Sequence, residues 1–144
     1  GKSRSKYFFA DPSVIVSPPD KEISLPSEDV SFEITSKQLE KLKKAASVYQ
    51  LPDISAIGGD GVVKLVARDK KNDTSNDFSI IVGETDSRFE FNFKEENLKI
   101  IPGTYDVVVS SKLLSRFTNK NYEVVYYIAL EPDSSFGEWE TQLI

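Results

Sequence analysis

The stretch that decides the fold runs Thr-Ser-Lys-Gln-Leu-Glu-Lys-Leu-Lys-Lys-Ala-Ala-Ser-Val-Tyr-Gln, from Thr35 to Gln50. At about 100° per residue, its apolar side chains gather on one side of a helix and its lysines on the other. The lysine stripe comprises Lys37, Lys41 and Lys44, and the packing face comprises Leu39, Leu42, Ala45, Ala46 and Tyr49. Thr35 and Gln38 have the spacing of a capping box, and Leu51-Pro52 closes the helix. The pattern predicts an amphipathic helix with a basic outer face.

Composition narrows the classes of protein to which this chain can belong. It has 144 residues, 39% of them hydrophobic, which suffices for one domain with its own core. The absence of cysteine and histidine excludes disulfides, thiolate metal sites and the usual proton shuttle, and no apolar run reaches the length of a membrane span. The net charge of −5 opposes indiscriminate nucleic-acid binding but does not say which face holds the lysines. We expect a non-enzymatic protein without a cofactor or a metal.

The ends of the chain differ from its middle. Methionine is absent even at position 1, which indicates a fragment of a longer protein, with Gly1 as a cleavage scar. Residues 11–29 contain four of the seven prolines and predict an extended connector. Residues 135–144 predict a tail, which we expect to be partly disordered.

An internal repeat organises the remaining sequence. Phe32-Glu33-Ile34 recurs as Phe89-Glu90-Phe91, and the capping pair Thr35 and Gln38 recurs as Asn92 and Glu95, both 57 residues later. Leu51-Pro52 recurs as Ile101-Pro102 after 50 residues, so the second helix is predicted to be about two turns shorter than the first. Chance similarity of two amphipathic units is the alternative explanation. The repeat predicts a duplicated βαβββ unit, with units at about 30–84 and 88–134.

The β-rich runs complete the predicted architecture. They lie at 30–34, 62–67, 78–82, 89–93, 105–109 and 122–130, and Gly58-Gly59-Asp60-Gly61 predicts a hairpin turn. Two such units would place their two helices on one face and antiparallel sheets on the other, which is an α+β fold.

Two candidate surfaces and two rejected sites follow from the residue types. The lysine stripe suits phosphate contacts, although a solvated helix face is the alternative. An apolar groove for a partner peptide would be bordered by Ile23, Leu25, Ala129, Leu130 and Pro132 if the connector crosses the outer face of the sheet, and ordinary packing is the alternative. A calcium loop at 69–77 is rejected because Lys71 occupies a ligand position and the central glycine is missing. The loop at 58–61 lacks the following helix of a phosphate-binding loop.

The repeat, the basic helix and the connector together resemble the sliding clamp, or polymerase processivity factor, family of T-even-type bacteriophages, and specifically its carboxy-terminal domain. The resemblance is carried in order along the chain by Phe9-Ala10-Asp11-Pro12-Ser13, Gln38-Leu39-Glu40-Lys41-Leu42, Pro102-Gly103-Thr104-Tyr105 and Tyr127-Ile128-Ala129-Leu130-Glu131-Pro132-Asp133-Ser134. It implies that residues 1–10 hold the end of a mostly missing amino-terminal domain, that 11–29 connect two domains, that 30–134 form the clamp domain and that 135–144 are a tail.

The resemblance also implies a function. In that family, three two-domain subunits form a ring around duplex DNA, with helices lining the hole, and the ring tethers the DNA polymerase. Lys37, Lys41 and Lys44 would then face the DNA, and the groove would accept apolar peptides from the polymerase and other clamp partners. A clamp loader, a homotrimer of the full-length protein and the cytoplasm of an infected bacterial host are implied with it, while this fragment would be a monomer or a weak oligomer.

One other class of function stays open at the level of sequence. The chain would also suit a non-catalytic interaction module of a viral or bacterial assembly, which would bind through its outer sheet or through the tail Phe136-Gly137-Glu138-Trp139-Glu140. In that case the lysines would be merely solvated.

Overall fold

The computed structural model describes residues 14–18, 23–72 and 76–137, and these residues form an α+β fold. The first half contains β1 (Val14–Ser17), β2 (Val30–Ile34), helix α1 (Ser36–Val48), β3 (Asp53–Gly59), β4 (Val62–Arg68) and β5 (Phe78–Glu84). The second half contains β6 (Phe89–Lys94), a 3-10 turn (Glu95–Leu98), β7 (Tyr105–Ser110), β8 (Leu114–Asn119), β9 (Val125–Ala129) and β10 (Ser135–Phe136). The predictions for residues 1–13 and for Trp139 lie outside the described residues.

The strands form two antiparallel sheets that exchange their first strands. Sheet A has the order β1-β9-β8-β7-β2, and sheet B has the order β10-β6-β3-β4-β5. Thus β2, from the first repeat, pairs with β7 of the second repeat, while β6 pairs with β3 of the first. The duplicated unit predicted from the sequence is present, but its two copies interlock through this exchange.

The second helical segment is shorter than predicted, and its predicted cap is wrong. It is a single 3-10 turn of four residues preceded by Lys94, whose side chain makes no capping hydrogen bond. Asn92, expected to repeat the role of Thr35, instead lies fully buried within β6. Its side chain is already bonded to Ser55, Glu90 and Asp133, so it is not available to cap a helix. The prediction of two helices on one face therefore becomes one α-helix and one short turn.

Four strands were not among the predicted β-rich runs, and a fifth is shorter than predicted. β3 and β8 lie outside the predicted β-rich runs, because β3 contains aspartate, serine and two glycines and β8 has polar residues on both faces. The connector at 11–29 contributes β1, which pairs with β9, and the expected tail at 135–144 begins with β10, which pairs with β6. The last long run forms a strand only at Val125–Ala129, and Tyr122 is 63% exposed.

The core lies between the two sheets and the helix. Helix α1 buries Leu39, Leu42 and Ala46, whereas Tyr49, predicted on the packing face, is 53% exposed at the end of the helix. Phe89, Phe91 and Phe93 of β6 are all buried, and the rings of Phe89 and Phe91 stack with centroids 4.8 Å apart. Among the described residues, no helix is long and apolar enough to cross a membrane.

Gly58 in β3 makes room for this aromatic stack. It pairs with Phe89 across the strands, and a Cβ atom at this position would overlap the Phe89 ring. The neighbouring Gly59 faces the other way, and a Cβ atom there would meet no heavy atom within 4 Å. The two glycines therefore provide a matched test of the packing.

We expect Gly58→Ala to lower the free energy of unfolding by about 1–3 kcal/mol, because the buried Phe89 ring has no space into which to move. Gly59→Ala should stay within about 0.5 kcal/mol of the parent chain. Urea unfolding measures both. Equal effects of the two substitutions would show that the ring is not confined by β3.

Candidate nucleic-acid interface

Both ends of α1 are fixed by specific hydrogen bonds. At the start, the Gln38 amide donates to Thr35 Oγ1 (3.2 Å) and the Thr35 amide donates to Gln38 Oε1 (2.9 Å), which confirms the predicted capping box. At the end, the Leu51 amide donates to the Ala46 carbonyl (2.8 Å) and the Gln50 amide donates to Ser47 (3.3 Å). This is a Schellman motif with Gln50 in the left-handed region (φ 55°), and it turns the chain sharply toward β3.

The lysine stripe lies on the side of α1 opposite the core. Lys37, Lys41 and Lys44 are all exposed, and their mean direction is roughly 170° from that of the buried Leu39, Leu42 and Ala46 at 100° per residue. The helix carries four lysines and one glutamate, so its net charge is +3 within a chain of net charge −5. The exposed lysines of α1 thus share one outward face.

The stripe lysines differ from several other lysines in their pairing. Lys70 pairs with Asp133 (2.8 Å), Lys99 with Glu95 (3.9 Å), and Lys120 with Glu33 (2.8 Å) and Asp106 (3.7 Å). Hydrogen bonding to Glu33 raises the pKa of Lys120 above its ordinary value. Within the described ranges, none of the three stripe lysines forms an ion pair. Their ammonium groups are therefore available to an external anion.

The 3-10 turn adds no comparable basic surface. Its first turn carries Glu95 and Glu96, and Lys99 is held near Glu95. Glu95 also lies close enough to Lys43 of α1 to affect its titration. The two helical segments are thus neighbours, and the 3-10 turn itself contributes two carboxylates and no lysine.

A loop after the 3-10 turn supports the start of α1. The Ser36 amide donates to Thr104 Oγ1 (3.1 Å), and the Thr104 amide donates to Asn121 Oδ1 (2.9 Å). The buried Tyr105 holds this loop to the core, because its hydroxyl donates to the Ile101 carbonyl (2.6 Å). Burial raises the pKa of Tyr105 to about 12. The position of the first stripe lysine therefore depends on a loop from the other repeat.

Residues 23–29, at the end of the connector, lie on the outer face of sheet A. The Ile23 amide donates to the Tyr127 hydroxyl (2.7 Å), and Tyr127 faces away from the core because its neighbours Tyr126 and Ile128 belong to the core. Further along, the Asp29 carboxylate accepts hydrogen bonds from the Ser111 amide (2.7 Å) and the Ser27 hydroxyl (2.6 Å), which lower its pKa. These contacts fix residues 23–29 against the sheet.

The predicted groove residues are only partly brought together. Ile23 is 41% exposed, Leu25 and Ala129 are half-buried, and Pro132 is exposed. Leu130 is only 5% exposed and belongs to the core, so it offers little surface to a docked peptide, and its place in the groove stays a prediction. Alternation along β9 puts Ala129 on the same face as Tyr127. Tyr127 was not predicted, because the continuous apolar run of β9 does not show which of its side chains face outward.

A polar network on sheet B fixes the segment that carries Pro132. The side chain of Asn92 donates a hydrogen bond to Asp133 Oδ1 (3.1 Å). The backbone amide of Asn92 donates to Ser134 Oγ (2.9 Å), and its backbone carbonyl accepts from the Glu131 amide (2.7 Å). Hydrogen bonding to Lys70 is the main cause that lowers the pKa of Asp133. Because no local pattern indicates these contacts, sequence reasoning missed them.

Comparison with known proteins identifies the family. The family model described as "gp45 sliding clamp, C terminal" matches residues 31–132, which is more than half of the chain. The chain belongs to this sliding-clamp family. It is 30% identical over 138 residues to the sliding clamp of Vibrio phage KVP40, and the match covers 91% of this chain. The chain spans 61% of that relative's length.

Solved sliding clamps share the fold. A DnaN sliding clamp from Pseudomonas aeruginosa, crystallised with griselimycin, superposes with a TM-score of 0.56 at 13% identity, over 80% of this chain and 34% of that one. The DnaN clamp of Bartonella birtlesii gives a TM-score of 0.55 at 16% identity, over 76% and 32% of the two chains. The predicted clamp-domain fold is thereby confirmed.

The raised pKa of Tyr105 predicts a loss of stability in alkali. An unfolded tyrosine ionises near pH 10, whereas Tyr105 in the folded clamp domain ionises near pH 12. Between these values the unfolded chain loses a proton that the folded chain retains, so about 3 kcal/mol of stability is lost as the pH rises through this window. Tyr105→Phe should be less stable than the parent at pH 8, but its stability should not show this additional loss as the pH rises from 10 to 12.

Urea unfolding at pH 8, 10 and 11.5 measures the effect. Tyr122→Phe is the matched control, because Tyr122 is exposed, and it should follow the parent domain at every pH. A parallel decline of Tyr105→Phe and the parent would show that Tyr105 does not retain its proton.

Proposed function

We propose that the protein containing this chain is a sliding clamp, which encircles duplex DNA and tethers the replicative polymerase as a processivity factor. The observation that carries the proposal is the unpaired stripe of Lys37, Lys41 and Lys44 on the outward face of α1, in a domain of the sliding-clamp family. In this assignment α1 lines the wall that faces the DNA. The role is non-catalytic and needs no cofactor.

The charge distribution suits a clamp that slides. Lysines are point charges on flexible stems, so they can exchange one backbone phosphate for the next without a fixed geometry. Screening by salt keeps each exposed contact weak, and a closed ring retains DNA by topology. The net negative charge of the remaining surface disfavours DNA binding elsewhere on the domain.

The other components of the proposal follow from clamp function. The partners are duplex DNA, a DNA polymerase and a clamp loader, and the full-length protein assembles as a homotrimer in the cytoplasm of an infected bacterium. A short apolar peptide of the polymerase docks on the outer face of sheet A, against Ile23, Leu25, Ala129 and Pro132. The hydrogen bond between Ile23 and Tyr127 supports this site, because it holds the connector beside β9.

We expect replacement of Lys37, Lys41 and Lys44 by glutamate in the full-length protein to impair clamp loading and to shorten the products of processive synthesis. The reversed charges would repel the phosphates that the stripe attracts. Product length on a primed circular template measures this effect, and thermal unfolding checks that the variant is folded.

The charge-matched control replaces the exposed Lys64, Lys71 and Lys112 by glutamate. These residues lie on sheet B, on the β4–β5 loop and on the β7–β8 turn, so the control should retain long products. Equal product lengths for the two triple variants would contradict the assignment of α1 to the DNA-facing wall.

The docking site makes a separate prediction. Ile23→Glu should weaken binding of a peptide with an apolar carboxy-terminal end, because it places a charge at the rim of the site. Ile81→Glu is the control, since Ile81 is exposed on β5 of the other sheet. Isothermal titration of the peptide against each chain measures the affinities. If the parent chain shows no saturable binding, the docking site is wrong and the chain is better explained as a different interaction module.

A further inference from the structure

A cleft opens beside the lysine stripe, between α1 and the loop that follows the 3-10 turn. It has a volume of about 240 Å³ and is lined by Ser36, Leu39, Glu40, Lys43, Ile100 and Pro102. Drug-sized ligands usually occupy pockets of about 300 to 1,000 Å³, so this cleft suits a smaller ligand.

The cleft combines apolar walls with groups of opposite polarity. Leu39, Ile100 and Pro102 supply the apolar surface, while Lys43 supplies a cation, Glu40 an anion and Ser36 a hydroxyl. A purely apolar ligand would leave these polar groups without partners, and a simple anion would be opposed by Glu40. The residues that line the cleft favour a planar molecule whose edge carries both hydrogen-bond donors and acceptors.

Lys43 is the feature that most needs a ligand. Its side chain is half-buried, and no carboxylate oxygen of the described residues lies within 4 Å of its ammonium group. Burial lowers the pKa of Lys43, the Glu95 carboxylate opposes that effect, and Lys99 reinforces it. A hydrogen-bond acceptor bound in the cleft would solvate this ammonium group.

The stripe limits what kind of ligand reaches the cleft. Glu40, which lines the cleft, precedes Lys41 and lies one helical turn before Lys44. A ligand bound in the cleft is therefore close to the stripe lysines, which suit phosphate contacts. A nucleobase has two apolar faces and an edge of donors and acceptors, and in a strand it is joined to phosphates. In a duplex its edge is paired and its faces are stacked, so only an unpaired base could enter.

We propose that this cleft binds an unpaired nucleobase of single-stranded DNA while the lysine stripe holds the adjoining phosphates. The inference rests on the proposed DNA-facing role of α1. It gives the clamp a second mode of contact, used where a duplex meets a single strand.

Amide NMR titration of the 144-residue chain tests the proposal, with a single strand of about eight thymidines and a blunt duplex of about the same length as probes. We expect the single strand to shift the amide signals of Leu39, Lys43 and Ile100, and the duplex to leave them unchanged. Both probes should shift the signals of the stripe lysines.

Two variants examine the cleft itself. Ser36→Trp fills it and should weaken single-strand binding by about fivefold or more, with duplex binding within about twofold of the parent. Ser47→Trp is the matched control, because Ser47 is an exposed serine on the same helix that does not line the cleft, and it should match the parent. Lys43→Gln removes the cation without filling the cleft and should weaken single-strand binding in the same direction.

The outcomes separate this inference from the proposed function. Equal cleft shifts with both probes, or equal affinities of Ser36→Trp and Ser47→Trp for the single strand, would overturn the base-binding cleft. Absence of any shift at the stripe lysines with the duplex would instead count against the DNA-facing role of α1. Thymidine monophosphate that shifts the cleft signals by itself would support base recognition independently of the strand.

Discussion

The exchange of first strands between the two sheets is the constraint on which the rest of the domain depends. Thr35 alone separates β2, in sheet A, from α1, and residues 49–52 separate α1 from β3, in sheet B. The helix is therefore anchored to a different sheet at each end. Because it must also bury Leu39, Leu42 and Ala46, it has little freedom to rotate about its axis. The outward direction of the lysines is a consequence of this anchoring.

The parts of the fold that were predictable are those set by local interactions. The capping box and the 3.6-residue period of α1 need only neighbours in sequence, and both are present as expected. The second helix failed because the side chain of Asn92 is used by Ser55, which lies 37 residues earlier in sequence. A partner that distant leaves no local signal. β8 was missed because polar residues occur on both of its faces, including the buried Ser115 and Asn119, and they lower its apparent strand propensity.

The candidate surfaces also divide into one that local sequence predicts and one that depends on contacts distant in sequence. The lysine stripe was identifiable because exposure on a helix follows from its period. The groove was only partly identifiable, because β9 is buried on both faces and its apolar run gives no phase. Connector contacts such as that of Ile23 with Tyr127 cover the outer face, and these contacts join residues 104 positions apart. Ala129 ends β9 half-buried and Leu130 follows it in the core, a difference that the sequence does not show.

Sliding and base recognition make opposite demands on a DNA-binding surface. A sliding contact must be equivalent at every step, which suits exposed lysines that bind any phosphate weakly. A base-binding cleft has no equivalent partner along a duplex, because every base there is stacked and paired, so it does not retard movement over duplex DNA. It engages only where pairing ends. The exposed stripe and the half-buried Lys43 on the same helix would thus serve two contacts that do not compete.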